Sequence, residues 1–359
     1  MSSVDAARVL TAERWLGPTR VHVDGGTITR LEALDRPSSE RWLVPGFVDL
    51  QVNGIDDVDV ATADGDDWAR LDDLLLAQGV TTWCPTLVTM PLARFERPLQ
   101  RIAAAMARPT ARRPHIAGAH LEGPFLGRSP GAHPVDQIIP IDLGWLAALP
   151  AHVAMVTLAA EQALAVEATR RLVADGRVVS VGHSQPNENE FDAVVDAGAR
   201  LTTHLFNGMS GVHHRAPGLA AFAITDPRVS ASLIADGVHV HPRVIRLAAQ
   251  ALGHERMVLV TDSVAWRARH VGGIGVELRD GAPRLADGTL AGSAITMDAA
   301  IRHCVAAGVD VAHALWAAAR NPARILALAD RGDIAVGCRA DLVALSPELE
   351  LEHVWVAGD

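Results

Sequence analysis

Arg177-Val178-Val179-Ser180-Val181-Gly182-His183 is short, β-branched and almost wholly apolar until it ends in an imidazole. It lacks the polar/apolar alternation of a half-exposed strand, so it reads as a strand buried on both faces. Seven more runs share this character: 44–50, 79–84, 115–121, 152–158, 199–204, 229–235 and 257–262. Amphipathic stretches at 66–78, 91–107, 161–175, 187–197 and 242–252 separate most of them, and Gly79, Gly176, Gly198 and Gly253 stop several of those stretches. Eight such units predict an α/β fold, a (β/α)8 TIM-like barrel over 44–330. The alternative is an open doubly wound sheet, which carries a glycine-rich turn after its first strand. Pro45-Gly46-Phe47-Val48-Asp49-Leu50-Gln51-Val52-Asn53-Gly54 is not that turn.

Outside the barrel the pattern changes. Residues 1–43 and 331–359 hold short β-like pieces, neither long enough for a core of its own. They are expected to pack together as one small β-sandwich domain. A β-hairpin insertion is expected near 271–293, followed by helices at about 295–307, 310–319 and 321–329.

Composition narrows the chemistry. The 359 residues are 49% hydrophobic and 21% charged, which suits a large buried core. A formal charge of −10 argues against a nucleic-acid partner, and no uninterrupted apolar run reaches the length of a membrane span. The chain contains no lysine, so a Schiff base, a phosphate-loop lysine or a carboxylated lysine bridging two metals is excluded. Cys84, Cys304 and Cys338 have no motif spacing, and the first residues show no signal-peptide pattern. Together these features predict a cytoplasmic protein.

Polar residues close the apolar runs: Asp49 and Gln51, His120 and Glu122, His183, His204, Asp236 and His239, and Asp262. In a barrel all these points lie on the C-terminal rim around one cavity. A carboxylate and two imidazoles meeting there suit a borderline-soft divalent ion such as zinc and predict a metal-dependent hydrolase. Each residue also has a purely structural reading. Glu122 could bond the loop that follows it, His183 and His204 could be hydrogen-bonded core histidines, and Asp262 could cap the next segment.

Several segments occur together in one order: 45–54, His120-Leu121-Glu122-Gly123-Pro124-Phe125-Leu126, Val181-Gly182-His183-Ser184, Thr203-His204-Leu205-Phe206-Asn207-Gly208-Met209, Ile234-Ala235-Asp236-Gly237-Val238-His239, Val260-Thr261-Asp262, Leu290-Ala291-Gly292-Ser293-Ala294 and Asn321-Pro322-Ala323. From about residue 40 onward the chain thereby resembles the N-acetylglucosamine-6-phosphate deacetylases of the amidohydrolase superfamily. The resemblance implies hydrolysis of N-acetylglucosamine 6-phosphate to acetate and glucosamine 6-phosphate, with one divalent metal held by Glu122, His183 and His204. Zinc fits that set best, and iron, manganese or cobalt would be accepted. Gln51 and Asn53 stand near the metal where many amidohydrolases carry His-x-His, which favours a single ion. Asp262 matches the catalytic general base and acid, and His133 matches the donor to the carbonyl oxygen; alone, His133 reads as a loop residue before proline. Arg215, His239, Asn207 and Gly208 match the phosphate end. The resemblance further implies a homodimer in which His239 reaches the neighbouring active site.

Three departures bear on the substrate. The stretch Gly127-Arg128-Ser129-Pro130 is short, Gly208 stands where alanine is usual, and Trp266-Arg267-Ala268-Arg269 is unlike the small-residue segment expected after Asp262. Two other readings therefore stay open. One is the same amide chemistry on N-acetylgalactosamine 6-phosphate or an N-acyl amino acid; the other is a non-catalytic sugar-phosphate-binding barrel.

Overall fold

The computed structural model describes residues 3–109 and 112–359. Eight strands, labelled here β1 to β8, follow the eight apolar runs: Phe47–Val52, Val80–Val88, Ala119–Glu122, Val153–Leu158, Val178–Val181, Leu201–Thr202, Ser230–Leu233 and Met257–Leu259. Each pairs parallel to the next in chain order. The ring closes beyond the last strand, where the Asp262 N–H donates to the Gln51 carbonyl at 2.9 Å and Val52 bridges Ser263 in parallel. The result is a nearly closed (β/α)8 barrel, as the apolar runs predicted.

The run 115–121 is interrupted. His115–Ile116 pairs with β2 as a separate short strand, and Gly118 sits between it and β3 at φ +143°. A Cβ at Gly118 would lie 2.6 Å from the Ala154 methyl, so backbone and neighbouring strand meet too closely for any side chain.

The helices fall where amphipathic stretches were read: Asp67–Leu76, Glu96–Met106, Ala165–Ala174, Glu188–Asp196 and Pro242–Arg256, the last broken at Gly253 (φ +65°, ψ 177°). Glu188–Asp196 opens with a capping box in which Asn187 and Glu190 satisfy each other's backbone N–H. The sequence reading left out the helix Leu219–Thr225, because Leu219, Ala220, Phe222 and Ala223 are all buried and LAAFAIT shows no polar face. The short helix Leu143–Ala147, also absent from the sequence reading, lies between β3 and β4, and Met297–Ala306, Val311–Ala318 and Arg320–Ile325 follow β8.

Both chain ends build the small β domain. Ser3–Ala6, Thr19–Asp24 and Thr27–Ala33 form one antiparallel sheet; Arg8–Leu10, Trp15–Leu16, Trp42–Pro45, Leu342–Leu345 and Leu351–Trp355 form the other. Val4, Val9, Val21, Ile28 and Leu43 from one end bury against Ile334, Ala340 and Leu342 from the other. Gly46 alone separates the strand Trp42–Pro45 from β1, and a Cβ there would fall 2.1 Å from the Thr81 hydroxyl. The 271–293 segment forms two small antiparallel ribbons, His270–Val271 with Ile274–Gly275 and Glu277–Arg279 with Ala282–Arg284.

Candidate active site

Glu122 is the last residue of β3, and His183, His204 and Asp262 lie two or three residues past β5, β6 and β8. The chain turns sharply at each of the last three, with φ of 50°, 33° and 49°. Left-handed backbone is uncommon outside glycine, although His and Asp tolerate it better than most, and it recurs at functional sites. The turns bring four side chains from distant parts of the sequence to one buried point.

Three atoms meet there. Glu122 Oε1 lies 3.2 Å from His183 Nε2 and 3.0 Å from His204 Nε2, and the two imidazole nitrogens are 3.1 Å apart. On the far side of each ring, Nδ1 donates to a backbone carbonyl, His183 to Ser129 at 3.1 Å and His204 to Asn207 at 3.0 Å. A neutral imidazole has one N–H, so both Nε2 atoms present lone pairs toward the carboxylate. Three lone pairs facing one another at one buried point repel unless a proton or a metal ion lies between them. Ligands at about 2.0–2.1 Å around a tetrahedral ion stand about 3.4 Å apart, close to the spacing seen here. The donor set therefore fits a divalent metal.

Without an ion, the acid and the imidazoles stabilise one another's charge. Burial favours a neutral Glu122, but His183 and His204 outweigh it and hold the carboxyl well below its ordinary range. Burial likewise disfavours charge on His204, and the Glu122 carboxylate overrides it and raises the imidazole pKa.

His133 approaches the same carboxylate, Nε2 lying 3.8 Å from Glu122 Oε2. Glu122, His133 and His183 offer atoms within 4.8 Å of one another; exchanging His133 for His204 tightens the set to 3.2 Å. His133 is also held differently. Its Nδ1 accepts from Thr89, whose hydroxyl lies at 2.8 Å and backbone N–H at 3.4 Å, so its own proton sits on Nε2 and faces the cavity. Burial, reinforced by His183, pushes its pKa down to about 3. His133 is thus a neutral hydrogen-bond donor.

Asp262 is held by amides. Its Oδ1 accepts from Asn53 Nδ2 at 2.7 Å and Gln51 Nε2 at 3.0 Å, and Gln51 Nε2 also donates to Glu122 Oε1 at 2.9 Å. Gln51 and Asn53 therefore orient acids. Burial, then the Glu122 charge, pushes the Asp262 carboxyl up to about 8.

A cavity of about 410 Å³ opens on these groups, and Asn53, Asn207, Gly208 and His239 line it as well. The His239 side chain is buried, its Nδ1 bonded to Asp236 Oδ2 at 2.6 Å. It lines the cavity of its own chain, and Asp236 ties it back to the segment after β7. Arg215 is exposed on the loop 211–217 and does not line the cavity. Neither do Trp266, Arg267 and Arg269. Arg267 stacks on Trp266 at 5.0 Å and pairs with Asp56 at 2.8 Å, and Arg269 pairs with Glu277 at 2.6 Å.

Sequence reasoning missed the apolar wall of the cavity, built by Val88, Ile234, Val264, Val271, Ile274 and Leu290. These residues come from four separate segments, and nothing local distinguishes them from core. It also missed Thr89, which sets the His133 tautomer, and Arg284, the one arginine among the described residues lining the cavity.

The sequence profile of the Amidohydrolase family matches residues 42–359. The chain belongs to the amidohydrolase family. Among its relatives is N-acetylgalactosamine-6-phosphate deacetylase of Escherichia coli O157:H7, 36% identical over 98% of this chain and 97% of that protein. The N-acetylglucosamine-6-phosphate deacetylase of Bos taurus is also 36% identical, over 88% of this amidohydrolase and 82% of its own length. A mutant Mycobacterium smegmatis N-acetyl-D-glucosamine-6-phosphate deacetylase, solved in complex with N-acetyl-D-glucosamine-6-phosphate, superimposes with a TM-score of 0.92 at 33% identity, covering 99% of this chain and 98% of that one. The amidohydrolase barrel and small β domain described above are shared with that structure.

Proposed function

We propose that this amidohydrolase hydrolyses the N-acetyl amide of N-acetylglucosamine 6-phosphate, releasing acetate and glucosamine 6-phosphate. The observation that carries the reading is the convergence of Glu122, His183 and His204 beside a carboxyl and a neutral imidazole donor in one cavity. Glu122, His183 and His204 would hold one divalent ion, zinc by preference for two imidazoles and a carboxylate. Bound there, such an ion makes water nucleophilic at neutral pH and polarises the acyl oxygen.

The chain's own groups supply the remaining chemistry. Asp262 accepts a proton from the attacking water and delivers it to the departing sugar nitrogen. Gln51 and Asn53 keep its carboxyl aimed while the proton moves. The His133 Nε2–H stabilises negative charge growing on the carbonyl oxygen, a role that contributes roughly 3 kcal/mol where such donors have been removed. Asn207, Gly208 and His239 form the phosphate end. Arg215, exposed and outside its own cavity, suits a homodimer in which it grips the phosphate bound to the neighbouring chain. Three buried free cysteines suit a reducing, cytoplasmic setting.

The C4 epimer is a second reading. It is favoured by the galactosamine relative, which is matched over nearly the whole chain. The test is acetate release from N-acetylglucosamine and N-acetylgalactosamine, each with and without the 6-phosphate, on protein of measured metal content. Highest kcat/KM on N-acetylglucosamine 6-phosphate is expected. Preference for the galacto isomer would transfer the assignment, and equal rates without phosphate would remove the phosphosugar reading.

A further inference from the structure

Glu161 follows β4 and does not line the cavity, yet its carboxylate ties together the two loops that orient His183. Oε1 accepts from the backbone N–H of Arg128 at 3.0 Å and of Gln185 at 2.9 Å. Oε2 accepts from the Ser184 hydroxyl, which in turn accepts from the Ala160 N–H at 3.1 Å. One side chain thus clamps the loop after β3 to the turn after β5. The clamp is reinforced by Gln185 Nε2 donating to Ser129 Oγ at 2.7 Å and by the Gly127 N–H donating to the His183 carbonyl at 2.9 Å.

Ser129 is the residue whose carbonyl receives the His183 Nδ1 proton at 3.1 Å. That bond selects the tautomer with a free Nε2 lone pair and fixes the ring's orientation. Gly127 supplies an independent sign of how closely the carboxylate is held. A Cβ there would lie 2.0 Å from Glu161 Oε1, although the Gly127 backbone itself would accept a side chain. The glycine leaves room for the carboxylate.

We propose that Glu161 is a positioning residue for metal binding: by pinning Ser129 against His183 it presents the His183 Nε2 lone pair to the ion. The inference rests on the reading that His183 is a metal ligand. A carboxylate suits the task because two backbone N–H groups and a hydroxyl all need acceptors. A carboxamide has one acceptor oxygen and must turn N–H groups toward the third partner.

The test is zinc affinity, measured by competition with a chromophoric chelator on Glu161→Ala, Glu161→Gln and Gly127→Ala. Melting temperatures of the metal-free proteins are recorded alongside, with the visible spectrum of the cobalt-loaded forms. Outer partners of metal-bound histidines are worth about 10–100-fold in affinity. The expected result is a rise of that size in the zinc dissociation constant for Glu161→Ala and a smaller rise for Glu161→Gln. Gly127→Ala, which keeps the carboxylate and displaces it, should weaken binding too. The cobalt spectrum should change in all three variants, while the metal-free melting temperature of Glu161→Gln holds. Wild-type zinc affinity in all three variants would overturn the inference and leave the metal reading standing. Zinc bound by His183→Ala as tightly as by wild type would remove the metal reading and this inference together.

Discussion

Asp262 is the residue on which the proposed chemistry turns. Without a cation nearby, burial and Glu122 hold its carboxyl near 8, so it carries a proton at neutral pH. A divalent ion a few ångströms away favours the charged form. Loading the metal at pH 7 should therefore expel a proton, seen as a calorimetric heat that varies with the buffer's ionisation enthalpy. Asp262→Asn should lose that proton and about 10³-fold in kcat, within the range for removal of a general base, while keeping its metal. A variant with intact turnover would refute the role. Arg215→Ala makes a separate prediction. KM should rise for phosphorylated substrates and stay level for their unphosphorylated counterparts, in steady-state assays of acetate release.

At the scale of elements, the strands are tied through the barrel interior by polar side chains as well as by backbone. His120 on β3 bonds Thr157 on β4 at 2.8 Å, and Thr157 bonds Thr203 at 2.9 Å, which in turn meets Ser180 on β5 at 2.6 Å. Burial pushes the His120 pKa down to about 4. Between roughly pH 6.5 and 4 the unfolded chain binds a proton that the folded chain refuses. The His120 contribution is therefore full above pH 6.5 and fades as pH falls toward 4, by roughly 3 kcal/mol in all. His120→Asn should flatten this part of the acid limb in denaturant titrations compared with wild type. The junction between small domain and barrel gives a steric prediction. Gly46→Ala should cost about 1–3 kcal/mol by overpacking against Thr81, and Thr81→Ala in the same chain should recover part of it, read from paired melting curves.

At the scale of the molecule, the metal should link stability to function. An ion that binds only the folded chain adds about 4 kcal/mol when present at a thousand times its dissociation constant. Chelation should lower the melting temperature and abolish acetate release, and added zinc should restore both. Activity that survives complete removal of divalent ions would contradict the proposed site.

The eight strands were legible in the sequence because a strand buried on both faces needs a nearly continuous apolar run, a strictly local demand that Val178–Val181 and Met257–Leu259 meet without reference to anything distant. Glu122, His183, His204 and Asp262 stood out for a related reason, since a polar residue that closes such a run falls on the rim where barrels keep their chemistry. The local pattern could not say which loop folds over which. His239 lines its own cavity because Asp236 bonds it there, Arg215 sits on an exposed loop, and Val271 and Ile274 become a cavity wall only once the ribbons after β8 lie across the rim. Glu161 follows an apolar run in the sequence, and only the fold brings the Arg128 and Gln185 N–H groups to it from two other loops. Burial and residue chemistry are written position by position, whereas hydrogen bonds between distant loops exist only after the barrel has closed and set their spacing.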